Sequence, residues 1–162
     1  MTPKIREANE HDIPALVELF SESEEFHRTN RPDFFAKPTD SDLVHAFKTF
    51  MSDKSVVSLA TEVDRKIHAY ARYRTYCGPA TSFLVHSGKK QALIDELVVS
   101  SQFRRKGLGK QLMLEIERRL KEECVDLIQL NVFSFNHPAQ ALYESLGYQR
   151  LYTRLGKSFD NR

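Results

Sequence analysis

The run Arg104-Arg105-Lys106-Gly107-Leu108-Gly109-Lys110 brings four cations and two glycines together between a strand pattern and a helix pattern. Glycines at 107 and 109 let a ligand approach the backbone, and a helix start leaves N–H groups unpaired at the positive end of its dipole. The chemistry suggested is anion binding, with a pyrophosphate as a good fit. The spacing is neither GxxxxGK[ST] nor a dinucleotide fingerprint, and a plain βα turn with solvated cations is the alternative reading. Just upstream, Asp95 and Glu96 interrupt the otherwise apolar run Leu93–Val99. Strand alternation assigns one carboxylate to each face, and a buried carboxylate without a partner is held protonated toward neutral pH, suiting it to accept a proton. A salt bridge to an arginine is the structural alternative. Glu96 is the first candidate and Asp95 the second.

The elements that must position these groups follow from periodicity. Lys4-Ile5-Arg6-Glu7-Ala8 alternates as a short strand, and Ile13, Leu16, Val17, Leu19 and Phe20 recur at helical spacing behind Asp12, a candidate cap, with Pro14 in the first turn. Residues 22–39 show no clean period and read as a loop with a broken helix. A second helix is expected over 41–51, and Val56–Thr61 and Ile67–Tyr76 form a hairpin around Asp64-Arg65-Lys66. Strand 92–99 leads into a helix carrying Leu112, Met113, Ile116 and Leu120. Strand 126–133 follows, then a helix opened by Asn136-His137-Pro138 and ended by Gly147, and a closing strand over Tyr148–Leu155. The order β-α-α-β-β-β-α-β-α-β predicts an α/β fold, a mixed and mostly antiparallel sheet with helices on both faces, built as a single domain over residues 1–162.

Taken with that order, Arg104-x-x-Gly107-x-Gly109 resembles the acetyl-CoA motif of the GNAT family of N-acetyltransferases. A second stretch is also similar to the family: Asn136-x-x-Ala139-x-x-Leu142-Tyr143-x-x-x-Gly147-Tyr148. The resemblance covers nearly the whole chain. It implies that the backbone at Leu97, Val98 and Val99 binds the pantetheine arm of coenzyme A, and that Arg104, Arg105, Lys106, Gly107, Leu108, Gly109 and Lys110 cradle the pyrophosphate. It implies that Tyr143 stands beside the sulfur as general acid, against the simpler reading of a core aromatic with Leu142 and Leu146. Asn136 either contacts pantetheine or substrate, or caps its helix, or both. The family often places a base on the strand of Asp95 and Glu96, and this acidic pair is similar to that of the polyamine acetyltransferase branch. The substrate-covering loop of the family falls on His27, Phe34 and Phe35, and Tyr70, Arg72 and Tyr76 share a strand face that would form a pocket floor.

Composition limits the rest. The 162 residues carry 24 Lys+Arg and 22 Asp+Glu, a net charge of +2 that gives no global reason for a nucleic-acid or membrane partner. No apolar run reaches the roughly 18 residues of a membrane span and no signal-peptide stretch opens the chain, so a cytoplasmic location is expected. Cys77 and Cys124 lack metal spacing and read as reduced core or near-core residues, with no metal site expected and no acyl-enzyme nucleophile in the motifs. The expected activity is direct transfer of acetyl from acetyl-CoA to a primary amine, small, polyamine-like or peptide, within a ternary complex of a homodimer paired through the last strands. The alternative is an acyl-CoA-binding module without turnover.

Overall fold

A computed structural model describes residues 2–79 and 86–157 of the chain. Its strands are β1 (Lys4–Glu7), β2 (Val56–Val63), β3 (Lys66–Cys77), β4 (Lys90–Val99) and β5 (Leu127–Leu130), and its helices α1 (Ile13–Asn30), α2 (Asp40–Ser52), α3 (Leu108–Glu122) and α4 (His137–Ser145). The five strands form one sheet in chain order; β1 to β4 pair antiparallel, and β5 returns parallel to β4 after the α3 crossover. The β2–β3 hairpin turns on Asp64 and Arg65, both at positive φ (50° and 64°), a geometry that follows the right-handed twist of the strands.

Helices cover both faces, as the mixed α/β reading requires. Leu112, Met113, Ile116 and Leu120 of α3 are fully buried against Ala69, Ala71, Tyr73, Ala92 and Ile94, with Tyr143 of α4 in the same core. Each such side chain contributes on the order of 2 kcal/mol by leaving water. On the opposite face, Leu16 and Leu19 of α1 and Phe47 of α2 pack on Tyr70 and Val98. Thus alternate residues of β3 and β4 serve two cores, and the sheet is apolar on both sides.

Four expectations are corrected. Helix α1 continues unbroken to Asn30, because Phe20, Glu24 and His27 keep the spacing that sets one helical face. Asp12 does not cap it; its carboxylate accepts from both Arg6 guanidinium nitrogens (2.7 and 2.8 Å) and from the Asn9 N–H (2.8 Å). No strand forms over Tyr148–Leu155, which runs without regular structure and leaves Leu151, Tyr152 and Leu155 exposed. Both cysteines are free but exposed, Cys77 at the end of β3 and Cys124 in the turn after α3 at φ 55°.

Two irregularities in β4 set up the site. Arg72 faces Glu96 while Tyr73 faces Ile94, so Asp95 is an extra residue in the ladder, a β-bulge. On its other side β4 pairs with β5 only from Gln91 to Ile94, after which β5 stops at Leu130. From Asp95 to Val99, β4 therefore has no strand partner on that side among the described residues, and the sheet opens there.

Candidate active site

The opening leads to the start of α3. Gly107 caps the helix at φ 85° and Arg105 also takes positive φ (63°), which swings the chain from the short 3-10 turn Ser101–Phe103 into the helix axis. The first N–H that the helix itself uses is that of Gln111, donated to the Gly107 carbonyl at 3.0 Å. The N–H groups of Leu108, Gly109 and Lys110 precede it and point out of the helix end. Gly109 is buried, and a Cβ there would lie 3.3 Å from Leu142 Cδ2 and 3.4 Å from Val99 Cγ2, so only glycine brings the helix start this close to β4 and α4. Of the cations, Arg104 turns back to the Val99 carbonyl (3.4 Å) and to Glu22 (3.5 Å), and the Lys106 ammonium sits 4.6 Å above the Phe103 ring. An open strand edge leading to unpaired helix N–H groups suits an extended ligand that carries amides followed by phosphates.

Where β4 and β5 part, a cleft of about 190 Å³ is lined by Glu24 and His27 of α1, Asp95, Glu96 and Leu97 of β4, Val132 and Phe133 after β5, and Asn136 and Tyr143 of α4. The bulge undoes the expected alternation of the two acids. Asp95 meets Arg74 at 3.0 Å and Arg72 at 3.9 Å, and Glu96 meets the same Arg72 at 3.9 Å. The Arg72 guanidinium lies 3.5 Å over the Phe50 ring, and its Nε and Nη1 are buried without a hydrogen-bond partner. At 3.9 Å neither ion pair is a hydrogen bond. Burial therefore outweighs Arg72 at Glu96 and pushes its carboxyl up to about 7, with Glu24 and Asp95 adding to the rise. Burial also raises the Glu24 carboxyl, against the opposing pull of His27. Tyr143 is pushed up to about 12, by burial first and then by Glu96.

Of the residues expected from sequence, Asp95, Glu96, Leu97, Asn136, Tyr143, His27 and Phe35 line this one cleft. Asn136 caps α4, its side-chain oxygen accepting the Ala139 N–H at 3.3 Å. The Val98 side chain points away into the α1–α2 core. Arg72 stands behind the two acids rather than on the cleft wall; Tyr70 is buried against Phe47 and bonded to Ser58 at 3.0 Å, and Tyr76 sits at the far end of β3. Phe34 lies at the rim, its ring 5.8 Å from that of Phe133. Sequence reasoning missed Glu24 and Phe133. The first was hidden by treating 22–39 as a loop although it follows Phe20 by four residues, and the second by reading it as the last residue of a strand over 126–133, whereas β5 stops at Leu130 and Phe133 turns to the cleft.

The rings of His27, Phe35, Phe133 and Phe135 pack together at the mouth, with centroids 5.0 Å apart for Phe35–Phe133 and 5.3 Å for Phe133–Phe135. Among the described residues no group of three or more His, Cys, Asp or Glu is placed to hold a metal, and no helix is long and apolar enough to cross a membrane.

Comparison with solved structures finds the same fold. A variant of the BH1408 protein of Bacillus halodurans superposes with a TM-score of 0.89 at 26% identity, over 96% of this chain and 99% of that one. A protein described as a transcriptional regulator from Bacillus halodurans C-125 gives 0.77 at 26% identity, over 98% and 100%. A predicted acetyltransferase from Clostridium acetobutylicum with acetyl-CoA gives 0.71 at 18% identity, over 97% and 96%, a likeness of fold alone. No curated protein sequence matches significantly. The sequence profile described as the acetyltransferase (GNAT) family matches residues 14–148, a stretch that holds the opened β4, the Gly107–Gly109 helix start and the whole cleft. With the profile spanning most of the chain and the fold agreeing, the protein belongs to the acetyltransferase (GNAT) family.

Proposed function

We propose that this acetyltransferase moves the acetyl group of acetyl-CoA directly to a primary amine, with Glu96 as base and Tyr143 as donor to the leaving sulfur. The observation that carries the reading is that Glu96 and Tyr143 line one cleft where β4 and β5 part, with the α3 N-terminus beyond it. The open edge of β4 suits the amides of pantetheine, and the N–H groups of Leu108, Gly109 and Lys110 suit the pyrophosphate. A bound ammonium gives one proton to Glu96 and becomes nucleophilic. As the new C–N bond forms and the C–S bond breaks, the second nitrogen proton balances the departing thiolate. Tyr143 stays protonated throughout the neutral range. Full transfer from a phenol near 12 to a thiolate with an ordinary pKa of roughly 8.5 is uphill by about 5 kcal/mol, so its part is a hydrogen bond to the sulfur while the amine supplies the proton.

The test is thiol release from acetyl-CoA against a panel of amines, beside acetyl-CoA binding by calorimetry, for the wild type, Glu96→Gln and Tyr143→Phe. Turnover lost in the variants with binding retained supports the reading. The neighbour described as a transcriptional regulator favours a second one, acyl-CoA binding without turnover. Tight binding with no turnover of any amine would decide for it. The outer edge of β5, unpaired among the described residues, and the exposed Leu151, Tyr152 and Leu155 support a homodimer joined through the C-terminal segment.

A further inference from the structure

The acceptor half of the cleft is built from two unlike parts. Its inner end holds the carboxyls of Glu24 and Glu96, while its mouth is walled by the rings of His27, Phe35 and Phe133 with Val132 beside them. The nearby cations already face acids: Arg74 pairs with Asp95, Arg72 stands 3.9 Å from both Asp95 and Glu96 behind the cleft, Arg28 pairs with Glu25, and Arg31 with Asp33 at 2.7 Å. No lining residue of the cleft is a lysine or arginine. Among the described residues, a carboxylate on the acceptor would therefore meet the acids of the wall and no lysine or arginine. Glu25 and Asp33, on and after the last turns of α1, are likewise held by arginines, so among the described residues a second ammonium at the mouth would find rings rather than a free carboxylate.

We propose that the acceptor is a primary monoamine with an apolar body, its ammonium held between Glu24 and Glu96 and its body lying against Phe35 and Phe133. This rests on the acetyl-transfer reading above and narrows it. Glu24 binds the cation and orients it toward Glu96, which takes the proton. Phe133 and Phe35, edge-to-face at 70°, cover the aliphatic or aromatic body and shed water from it. The arrangement discriminates chiefly by leaving an unwanted charge unpaired.

The test uses acceptors of matched reach with saturating acetyl-CoA: hexylamine and 2-phenylethylamine, 1,6-diaminohexane, and 6-aminohexanoate. The expected result is a kcat/KM for the two apolar monoamines at least tenfold above that of the diamine and of the amino acid. Phe133→Ala should lower that preference at least tenfold without changing acetyl-CoA affinity, and Glu24→Gln should raise KM for every cationic acceptor more than it lowers kcat. Equal or better turnover of the diamine or of 6-aminohexanoate overturns the acceptor class while leaving acetyl transfer intact. No turnover of any acceptor, with acetyl-CoA still bound, overturns the acetyl-transfer reading and this inference with it.

Discussion

Replacing Glu96 with glutamine should make the protein slower and, above neutral pH, more stable. Moving a carboxyl from its ordinary 4.5 to about 7 is worth about 3 kcal/mol between its two protonation states, at roughly 1.36 kcal/mol per pH unit. The sign follows from proton uptake. Between pH 4.5 and 7 the unfolded chain has lost the Glu96 proton and the folded chain has kept it, so stability falls as pH rises through that window and the loss is complete above it. Glutamine carries no charge to bury and escapes the loss. Denaturant titrations at pH 5 should show wild type and Glu96→Gln alike, whereas at pH 8 the variant should gain up to about 3 kcal/mol, or on the order of 5–10 °C in Tm for a domain of this size. The side chain keeps some contact with water, 29% of its surface, which makes that figure an upper bound. The kcat/KM profile of the wild type should rise with a midpoint near 7, and that limb should vanish in the variant. A variant less stable than wild type at pH 8, or a limb that persists in it, would refute the account of Glu96 as a carboxyl raised by burial and used as the base.

Three further outcomes follow from the geometry. Tyr143→Phe removes the proposed donor to the sulfur while keeping the ring that packs near Tyr148, so kcat should fall on the order of 100-fold with acetyl-CoA affinity unchanged, measured by thiol release and calorimetry. Gly109→Val places methyl groups where Leu142 and Val99 already stand 3.3 and 3.4 Å from a bare Cβ; α3 must back away from β4, and acetyl-CoA affinity should drop at least about tenfold, against a loss of only about 1 kcal/mol of stability for the strained but open Gly107→Ala. Charging the tail as Leu151→Glu, Tyr152→Glu and Leu155→Glu together should convert a dimer to a monomer in sedimentation velocity; a wild type that is already monomeric at tens of micromolar would count against the proposed pairing.

The sheet and its crossover were legible because Leu112, Met113, Ile116 and Leu120 recur on one helix face, and because β3 is a long run of alanine and aromatic residues beside the turn at Asp64–Lys66. The tight turn into α3 was legible because glycine spacing is a backbone requirement written directly in sequence. What failed to show was a matter of phase. Ile94-Asp95-Glu96-Leu97 scans as an ordinary strand, and nothing in those letters says that Asp95 is inserted relative to Arg72 and Tyr73 on the neighbouring strand; a bulge is a property of the pair. Its consequence, two acids converging on one arginine, was therefore out of reach. The second half of α1 was obscured for the opposite reason, since Ser21–Glu25 is so polar that the thread from Phe20 through Glu24 to His27 was lost among solvated neighbours. The tail over Tyr148–Leu155 alternates like a strand but pairs with no strand among the described residues.

The short β5 has one more implication. Among the described residues, half of β4 is an unfinished ladder on the side facing β5, a row of spare donors and acceptors that suits an extended molecule of matching repeat. A pantetheine arm would act there as a surrogate strand continuing the line of β5, and an unrelated polypeptide would fit the same edge. The ligand-free protein should consequently be the form that self-associates on storage, and the amides of residues 95–99 the ones that become shielded from solvent exchange when coenzyme A is added. Under the proposed function, the molecule that is consumed in the reaction would also complete the ladder of β4.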